Sequence, residues 1–260
     1  MKKKALERWV IKVGSNMVST GGPILLRAWM EQVVRLRREH NVEVIWVSSG
    51  AISSAVNRTD FKKTKSDWSV CEKQALSAMG QPILMDLYNL SLQATGLMGA
   101  QVLLTADDLA NKERRTNFQA TIEQLLQWKV VPILNENDAI ATEEIKFGDN
   151  DSLSAKVASV MKADRLVILT DVDGLYEKDP RFHPEAKLIS KVRKITASMM
   201  NVASENSGSK HGTGGMLSKV RAAKEAVKGK VETILVKGDT ASVLLRVAQD
   251  SYIGTVFEVK

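Results

Sequence analysis

The chain of 260 residues carries 37 lysines and arginines against 30 aspartates and glutamates, a formal net charge of +7. Its 44% of hydrophobic residues suffice for the core of one large domain or two small ones. No apolar run approaches the ~20 residues that span a bilayer, and a single cysteine, Cys71, excludes an internal disulfide, so we expect a cytoplasmic protein in a reducing compartment.

Short apolar, β-branched runs alternate along the chain with amphipathic helical patterns. Residues 9–13 predict a first strand, and the apolar spacing over residues 25–36 predicts a helix. A second strand follows at 42–47. Residues 72–94 then predict a helix that is interrupted near Gly80-Gln81-Pro82.

The same alternation continues to the end of the chain. It predicts strands at 100–104, 130–134, 165–169, 232–236 and 255–259, and helices at 117–128, 152–161, 215–228 and 240–248. This order is typical of an α/β fold with a mainly parallel sheet covered on both faces. Since no linker or repeat divides the chain, we expect one domain over residues 1–260. The polar segment 136–151 is expected to form a small hairpin.

The ends of the predicted strands are rich in glycine, serine, asparagine and aspartate. In parallel sheets, ligands bind at the carboxyl ends of the strands, although these residue types are also ordinary in turns. The basic balance indicates an anionic substrate or a nucleic acid. Positive charge is spread over several segments, which favours the anionic substrate.

Lys12 stands inside an apolar strand and is followed by Val13-Gly14-Ser15. A lysine there must either extend to water or meet an anion. A phosphate on the backbone N–H groups beside Gly14, with Lys12 as its counter-charge, would satisfy this pattern. The alternative is an edge-strand lysine in water.

Asp149-Asn150-Asp151 and the earlier Asp138 form an acidic cluster. An EF-hand calcium loop needs a longer ligand series and a closing glutamate, which the sequence lacks. These side chains either bind an ammonium group and orient lysines, or belong to an ordinary polar hairpin.

The stretch "GTGGMLSK" at 212–219 runs into a predicted helix. It matches neither G-x-x-x-x-G-K-[ST] nor G-x-G-x-x-G. A helix amino terminus nevertheless attracts anions, and Lys219 lies about one turn into this helix. An anion site and a flexible linker both fit the stretch taken alone. No nucleophile or metal-ligand spacing stands out, which favours chemistry by positioning and charge, as in phosphoryl transfer.

Taken together, several stretches resemble the glutamate 5-kinase branch of the amino acid kinase family. They are "VIKVGSN", "VSSGAI", "KQALSAMGQPILM", "VVPILNENDAIATEEIKFGDNDSLSA", "LVILTDVDGLYEKDPR" and "GTGGMLSKVRAA". The resemblance implies an αβα sandwich around a mainly parallel, eight-stranded sheet. It further implies ATP-dependent phosphorylation of the side-chain carboxylate of L-glutamate, the first step of proline biosynthesis.

The resemblance also implies roles for individual residues. Lys12, Lys219 and Asp151 would be catalytic. Substrate would be bound by Ser49, Gly50, Ala51, Asp138, Asp149 and Asn150. ATP would be bound by Lys12, Gly14, Ser15, Thr170, Asp171, Tyr176, Thr213, Gly214, Gly215, Met216, Leu217, Ser218 and Lys219. Mg²⁺ would be held mainly by the ATP phosphates, without a direct protein ligand.

As partners, the resemblance implies glutamate, ATP, proline as a feedback inhibitor and further copies of the chain in a dimer or tetramer, with no nucleic acid and no membrane. Many members of this branch carry a C-terminal PUA domain. This sequence ends at Lys260, where the kinase domain is expected to end, so no PUA domain is expected. Two alternatives stay open: a sister kinase acting on another carboxylate substrate, and a sensor or nucleic-acid-binding relative without catalysis.

Overall fold

The computed structural model describes residues 5–59, 61, 68–141, 150–205 and 215–259. Its strands are β1 (Glu7–Val13), β2 (Val42–Val47), β3 (Gly99–Leu104), β4 (Val131–Glu136), β5 (Arg165–Thr170), β6 (Lys191–Val192), β7 (Glu232–Lys237) and β8 (Gly254–Phe257). Its helices are α1 (Ser15–His40), α2 (Ala51–Val56), α3 (Val70–Ala94), α4 (Ala106–Ala110), α5 (Lys112–Gln127), α6 (Asn150–Val160), α7 (Ala197–Glu205), α8 (Met216–Lys228) and α9 (Val243–Ala248).

All eight strands form one sheet in the order β3-β4-β2-β1-β5-β7-β8-β6. The neighbours pair in parallel except β7 and β8, which pair antiparallel. The predicted α/β sandwich with a mainly parallel, eight-stranded sheet is therefore confirmed. Strand β1 lies in the interior of the sheet between β2 and β5, so the alternative that placed Lys12 on an edge strand is wrong.

Two hydrophobic layers cover the sheet, and β1 contributes to both because successive side chains of a strand point to opposite faces. Trp9 and Ile11 join the layer built with α1, α3 and α9. Val10 joins the opposite layer, which α5, α6 and α8 cover. Lys12 follows Val10 by two residues, so its side chain points toward α6 and α8.

Helix α3 continues from Val70 to Ala94 through Pro82, so the predicted interruption at 80–82 is wrong. The reason lies in packing, because Gly80 is buried against α2. A Cβ at Gly80 would lie 1.8 Å from the carbonyl oxygen of Ala51. The glycine thus permits close approach of two helices, and the buried contacts of α3 outweigh the poor helix propensity of glycine and proline.

Helix α1 starts at Ser15, ten residues before the predicted apolar pattern, and has non-helical backbone at Gly22, with φ 49° and ψ −147°. Three short elements, α4, β6 and α7, have no counterpart in the sequence prediction. The five residues of α4 and the two residues of β6 are too few for a periodic pattern. In the predicted hairpin, β4 extends through Glu136 and α6 begins at Asn150, while residues 142–149 lie outside the described residues.

Among the described helices, none has the length and apolar character to cross a membrane.

Candidate active site

A buried carboxylate between two lysines forms the centre of the candidate site. Asp151 lies in the first turn of α6 and has no exposed surface. Its Oδ1 is ion-paired with Lys12 Nζ from β1. Its Oδ2 lies 3.4 Å from Lys219 Nζ and 2.7 Å from Ser218 Oγ, both from α8. The three predicted catalytic residues therefore come together from three separate elements.

The charges of this cluster decide the protonation state of Asp151. Burial disfavours the charged form and raises the pKa of this carboxyl group. The ammonium groups of Lys12 and Lys219, together with hydrogen bonds from Lys12 and Ser218, act in the opposite direction and hold the pKa well below its ordinary value. Asp151 is consequently an anion at neutral pH, and the cluster of two cations and one anion carries a positive charge.

Two helix amino termini adjoin this cluster. Gly14 precedes α1 and Gly215 precedes α8, and glycine has no side chain that could cap the first backbone N–H groups. A Cβ at Gly14 would lie 3.9 Å from Lys12 Nζ, so the start of α1 is close to the lysine. Ser218 Oγ also lies 2.7 Å from the carbonyl oxygen of Gly215. Backbone N–H groups and lysine ammonium groups thus converge where an anion would be bound.

The predicted acceptor residues form a second group next to the first. Asn150 precedes Asp151, and its Nδ2 donates to the Ser48 carbonyl oxygen at 2.5 Å, to Ser49 Oγ at 3.1 Å and to Asn135 Oδ1 at 2.6 Å. These contacts join the loop after β2 and the end of β4 to the start of α6. Asp138, which follows β4, lies 3.3 Å from Ser77 Oγ of α3.

Gly50 connects the residues predicted to bind the acceptor substrate with the residues predicted to bind phosphate. Its φ is 104°, in the region that glycine adopts without strain. A Cβ at Gly50 would lie 3.7 Å from Ser15 Cα, so the turn before α2 packs on the first residue of α1. Ala51, the first residue of α2, is buried below this turn. The residues predicted to bind glutamate and those predicted to bind phosphate therefore adjoin each other at the carboxyl ends of the strands.

The predicted nucleotide residues lie on the other side of Lys12. Thr170 ends β5, the strand beside β1, and its Oγ1 donates to Asp171 Oδ1 at 3.1 Å. Tyr176 donates to Asp173 Oδ2 at 2.9 Å, and burial together with that carboxylate raises the pKa of Tyr176. Met216 and Leu217, in the first turn of α8, are half-buried against the hydrophobic layer under α8. Thr170 thus lies one strand away from Lys12.

Three predicted residues, Asp149, Thr213 and Gly214, lie outside the described residues. Two further residues take part in the site without having been assigned a role from the sequence. Ser48 and Asn135 are buried and hold Asn150. The available signal was their position at the carboxyl ends of buried strands, but the same signal fits ordinary turn residues.

The charge of the site suits an anionic ligand better than a resident metal ion. In the parts of the chain that are described, no group of three or more His, Cys, Asp or Glu side chains could hold a metal. Asp151, the buried carboxylate of the site, is ion-paired with two lysines. Phosphate groups would complement the remaining positive charge.

Known proteins resemble this chain over nearly its whole length. Residues 7–238 match the amino acid kinase family. The glutamate 5-kinase of Trichlorobacter lovleyi is 44% identical over 256 residues, which cover 97% of this chain and 67% of that protein. The glutamate 5-kinase of Thermus thermophilus is 41% identical over 257 residues, or 98% of this chain and 68% of that protein. The chain thus spans about two thirds of the length of these relatives.

A solved structure supports the fold. The UMP kinase from Ureaplasma parvum superposes with a TM-score of 0.64 at 14% identity, and the match covers 98% of this chain and 99% of that one. At this identity the likeness concerns the fold alone.

Proposed function

This chain belongs to the amino acid kinase family, in its glutamate 5-kinase branch, and we propose that it transfers the γ-phosphoryl group of ATP to the side-chain carboxylate of L-glutamate. The product, glutamyl 5-phosphate, is the first intermediate of proline biosynthesis. The observation that carries the proposal is the buried Asp151 between Lys12 and Lys219. In this proposal, the residues around Asn150 bind the acceptor on one side of the cluster, and the residues around Thr170 bind the nucleotide on the other.

The reaction needs charge neutralisation and alignment rather than a general base. An oxygen of the glutamate side chain attacks the γ-phosphorus, and the bond to the β,γ-bridging oxygen breaks with its electron pair leaving on ADP. A carboxylate with an ordinary pKa of about 4.3 carries no proton at neutral pH. Asp151 therefore has no proton to accept, and its role is to hold the two lysine ammonium groups in place.

Lys12 and Lys219 lie where negative charge gathers in the transferring phosphoryl group. Phosphoryl transfer passes through a transition state in which charge spreads over the equatorial oxygens. Ammonium groups fixed in a buried site stabilise that charge without having to reorient. The backbone N–H groups at Gly14, Ser15 and the first residues of α8 add donors to the same phosphates.

ATP is the nucleotide substrate that follows from kinase membership, and Thr170, Asp171 and Tyr176 are proposed to contact it. Thr213 and Gly214 complete the proposed nucleotide loop. Mg²⁺ is proposed to arrive with ATP, where it neutralises part of the phosphate charge. In this proposal its ligands are mainly phosphate oxygens.

The direct test is glutamate-dependent formation of an acyl phosphate from Mg-ATP, trapped as a hydroxamate with hydroxylamine. We expect hydroxamate with L-glutamate and much less with L-aspartate or N-acetyl-L-glutamate. Preferential use of another acceptor would favour a sister kinase. Folded protein that forms no hydroxamate with any acceptor, and binds RNA with strong salt dependence, would favour the nucleic-acid-binding alternative.

Asp138 is proposed to bind the α-ammonium group of glutamate, with Ser49, Gly50, Ala51, Asp149 and Asn150 as further acceptor contacts. We expect Asp138→Ala to raise the KM for glutamate roughly tenfold or more, because a hydrogen bond to a charged group contributes about 1.5–3 kcal/mol. The KM for ATP should change little. Steady-state kinetics with each substrate varied in turn measure both constants.

The matched control is Asp86→Ala, an exposed aspartate on the outer side of α3. It should leave both KM values unchanged. An unchanged glutamate KM in Asp138→Ala would remove this residue from the acceptor site.

Self-association and inhibition by proline complete the proposal. Helix α3 exposes Met79 and Leu90, and the following Met98 is also exposed beside β3, the strand at one end of the sheet. A second copy would cover this apolar side. Light scattering should give at least twice the chain mass for the unmodified protein and a lower mass for Leu90→Glu. Addition of L-proline to the hydroxamate assay tests inhibition.

A further inference from the structure

The inner face of α3 lies beneath the acceptor group. Ser77, Gly80, Gln81 and Tyr88 are spaced by three, one and seven residues, which places them on one side of a helix. All four are buried. The sequence motif that contains the first three, "SAMGQP", has no role in the mechanism derived above.

Each of these residues contacts a different part of the acceptor site. Ser77 Oγ lies 3.3 Å from Asp138 Oδ2. Gly80 packs on the carbonyl group of Ala51. These two contacts join α3 to the loop after β4 and to the start of α2.

Tyr88 supports the loop after β2. Its hydroxyl lies 2.8 Å from Ser48 Oγ and accepts a hydrogen bond of 2.8 Å from Trp46 Nε1. Burial raises the pKa of this hydroxyl far above its ordinary value, so it stays protonated and keeps both contacts. The Ser48 carbonyl oxygen in turn accepts from Asn150.

Gln81 is the residue through which α3 reaches the centre of this network. Its Oε1 accepts from Gln101 Nε2 at 2.8 Å and from Asn135 Nδ2 at 3.3 Å, and its Nε2 donates to the Glu136 carbonyl oxygen at 3.4 Å. Only 6% of Gln81 is exposed. Side-chain and backbone groups thus engage both ends of its amide.

The contacts of Gln81 determine which end of the next two amides faces the acceptor. Because Asn135 Nδ2 donates to Gln81, its Oδ1 faces the other way, where it accepts from the Glu136 N–H and from Asn150 Nδ2. Asn150 therefore directs its amide N–H groups toward the Ser48 carbonyl oxygen and Asn135 Oδ1. The group that its amide then offers to a ligand is the oxygen Oδ1, an acceptor.

From this chain of amides we infer that Gln81 is a positioning residue that makes the acceptor site selective for a substrate with a free ammonium group. The Asn150 amide oxygen and the Asp138 carboxylate are both acceptors, and an ammonium group is a donor with three N–H bonds. Without Gln81, Asn135 loses one of the contacts that set its orientation, and Asn150 is less restrained from presenting its own N–H groups to the ligand. The inference rests on the proposed function, because the substrate is taken to be glutamate.

The experiment compares glutamate with glutarate, which has the same two carboxylates and no amino group. In Gln81→Met, which has a side chain of similar length without an amide, we expect the glutamate KM to rise about tenfold. The inhibition constant of glutarate against glutamate and the KM for ATP should each change less than about twofold. A merely structural effect would weaken the binding of glutamate and the binding of glutarate to the same extent.

Gln81→Glu is the conservative partner of this variant. It retains an oxygen for Gln101 and Asn135 and should restore most of the selectivity. Gln101→Ala, at an exposed position of β3, removes only the outer contact and should raise the glutamate KM about two- to threefold. This third variant keeps the test decisive even where Gln81→Met fails to fold.

The matched control is Gln32→Met on α1, another buried glutamine, whose Oε1 accepts a hydrogen bond from the Leu244 N–H of α9. It should lower stability and leave the glutamate KM unchanged. An unchanged glutamate KM in Gln81→Met, or an equal rise in the glutarate constant, would overturn the inference. Unmodified protein that forms no glutamyl phosphate would instead overturn the proposed function.

Discussion

Lys219→Ala should lower kcat at least about 100-fold while the protein remains folded. An ammonium group that is already oriented toward the developing charge stabilises the transition state by an amount that corresponds to a rate factor of about 10² or more. Lys219 is 7% exposed and is held by Asp151 at 3.4 Å, so it is fixed before ATP arrives. The loss should appear in kcat rather than in the KM for glutamate.

Lys224→Ala provides the matched control for this variant. Lys224 lies on the same helix, α8, but is exposed. It should retain normal kinetics, and circular dichroism should show the same helix content in both variants. A well-folded Lys219→Ala protein with near-normal kcat would exclude this lysine from the mechanism.

Asp151→Asn should reduce both stability and turnover. The carboxylate lies between Lys12 and Lys219, and removing its charge leaves two buried ammonium groups without their shared partner. Breaking a buried ion pair by removing one partner costs about 3 to 5 kcal/mol of the free energy of unfolding. Because both lysines lose their alignment, we also expect kcat to fall at least about 100-fold.

The dependence of stability on pH distinguishes this charge effect from a simple loss of packing. The pKa of Asp151 is lower in the folded chain than in the unfolded chain, where an aspartate titrates near about 3.9. Its stabilising contribution is therefore complete above that value and is lost as the pH falls toward the folded pKa. The difference in free energy of unfolding between the unmodified protein and Asp151→Asn should narrow below about pH 4.

Urea unfolding followed from about pH 3 to pH 7 measures this difference. Asp107→Asn, an exposed aspartate on α4, is the control and should track the unmodified protein at every pH. A constant difference between Asp151→Asn and the unmodified protein over this range would mean that the Asp151 charge is not what stabilises the site.

The alternation of apolar strands and amphipathic helices was enough to predict the α/β class and most elements of the sheet. Strands such as β1 and β5 can be recognised as runs of β-branched and apolar residues, because both faces of the sheet are buried. The residues that flank these strands also carried the resemblance to the amino acid kinase family, which implies catalytic roles for Lys12, Lys219 and Asp151. Hydrophobic pattern and residue type are local properties of the sequence, so they can be identified without the tertiary structure.

Other features depended on contacts between distant parts of the chain. Gly80 and Pro82 locally indicate a break, yet α3 is continuous because Gly80 packs on Ala51, almost 30 positions earlier. The two residues of β6 likewise form a strand by pairing with β8, 65 positions later in the chain. In a helix interior, glycine is about 1 kcal/mol and proline about 3 kcal/mol less favourable than alanine, and the buried contacts of α3 outweigh this cost.

By itself, the sequence determined the fold class, the family and the identity of the charged residues at the strand ends. The tertiary structure decided that Lys12, Asp151 and Lys219 share one buried cluster, and that Gln81 of α3 is hydrogen-bonded to Asn135 in β4. These contacts join distant parts of the chain: Gln81 and Asn135 are 54 positions apart, and Lys12 and Asp151 are 139 positions apart. No local pattern encodes these pairings, because they exist only once the sheet brings the strand ends together.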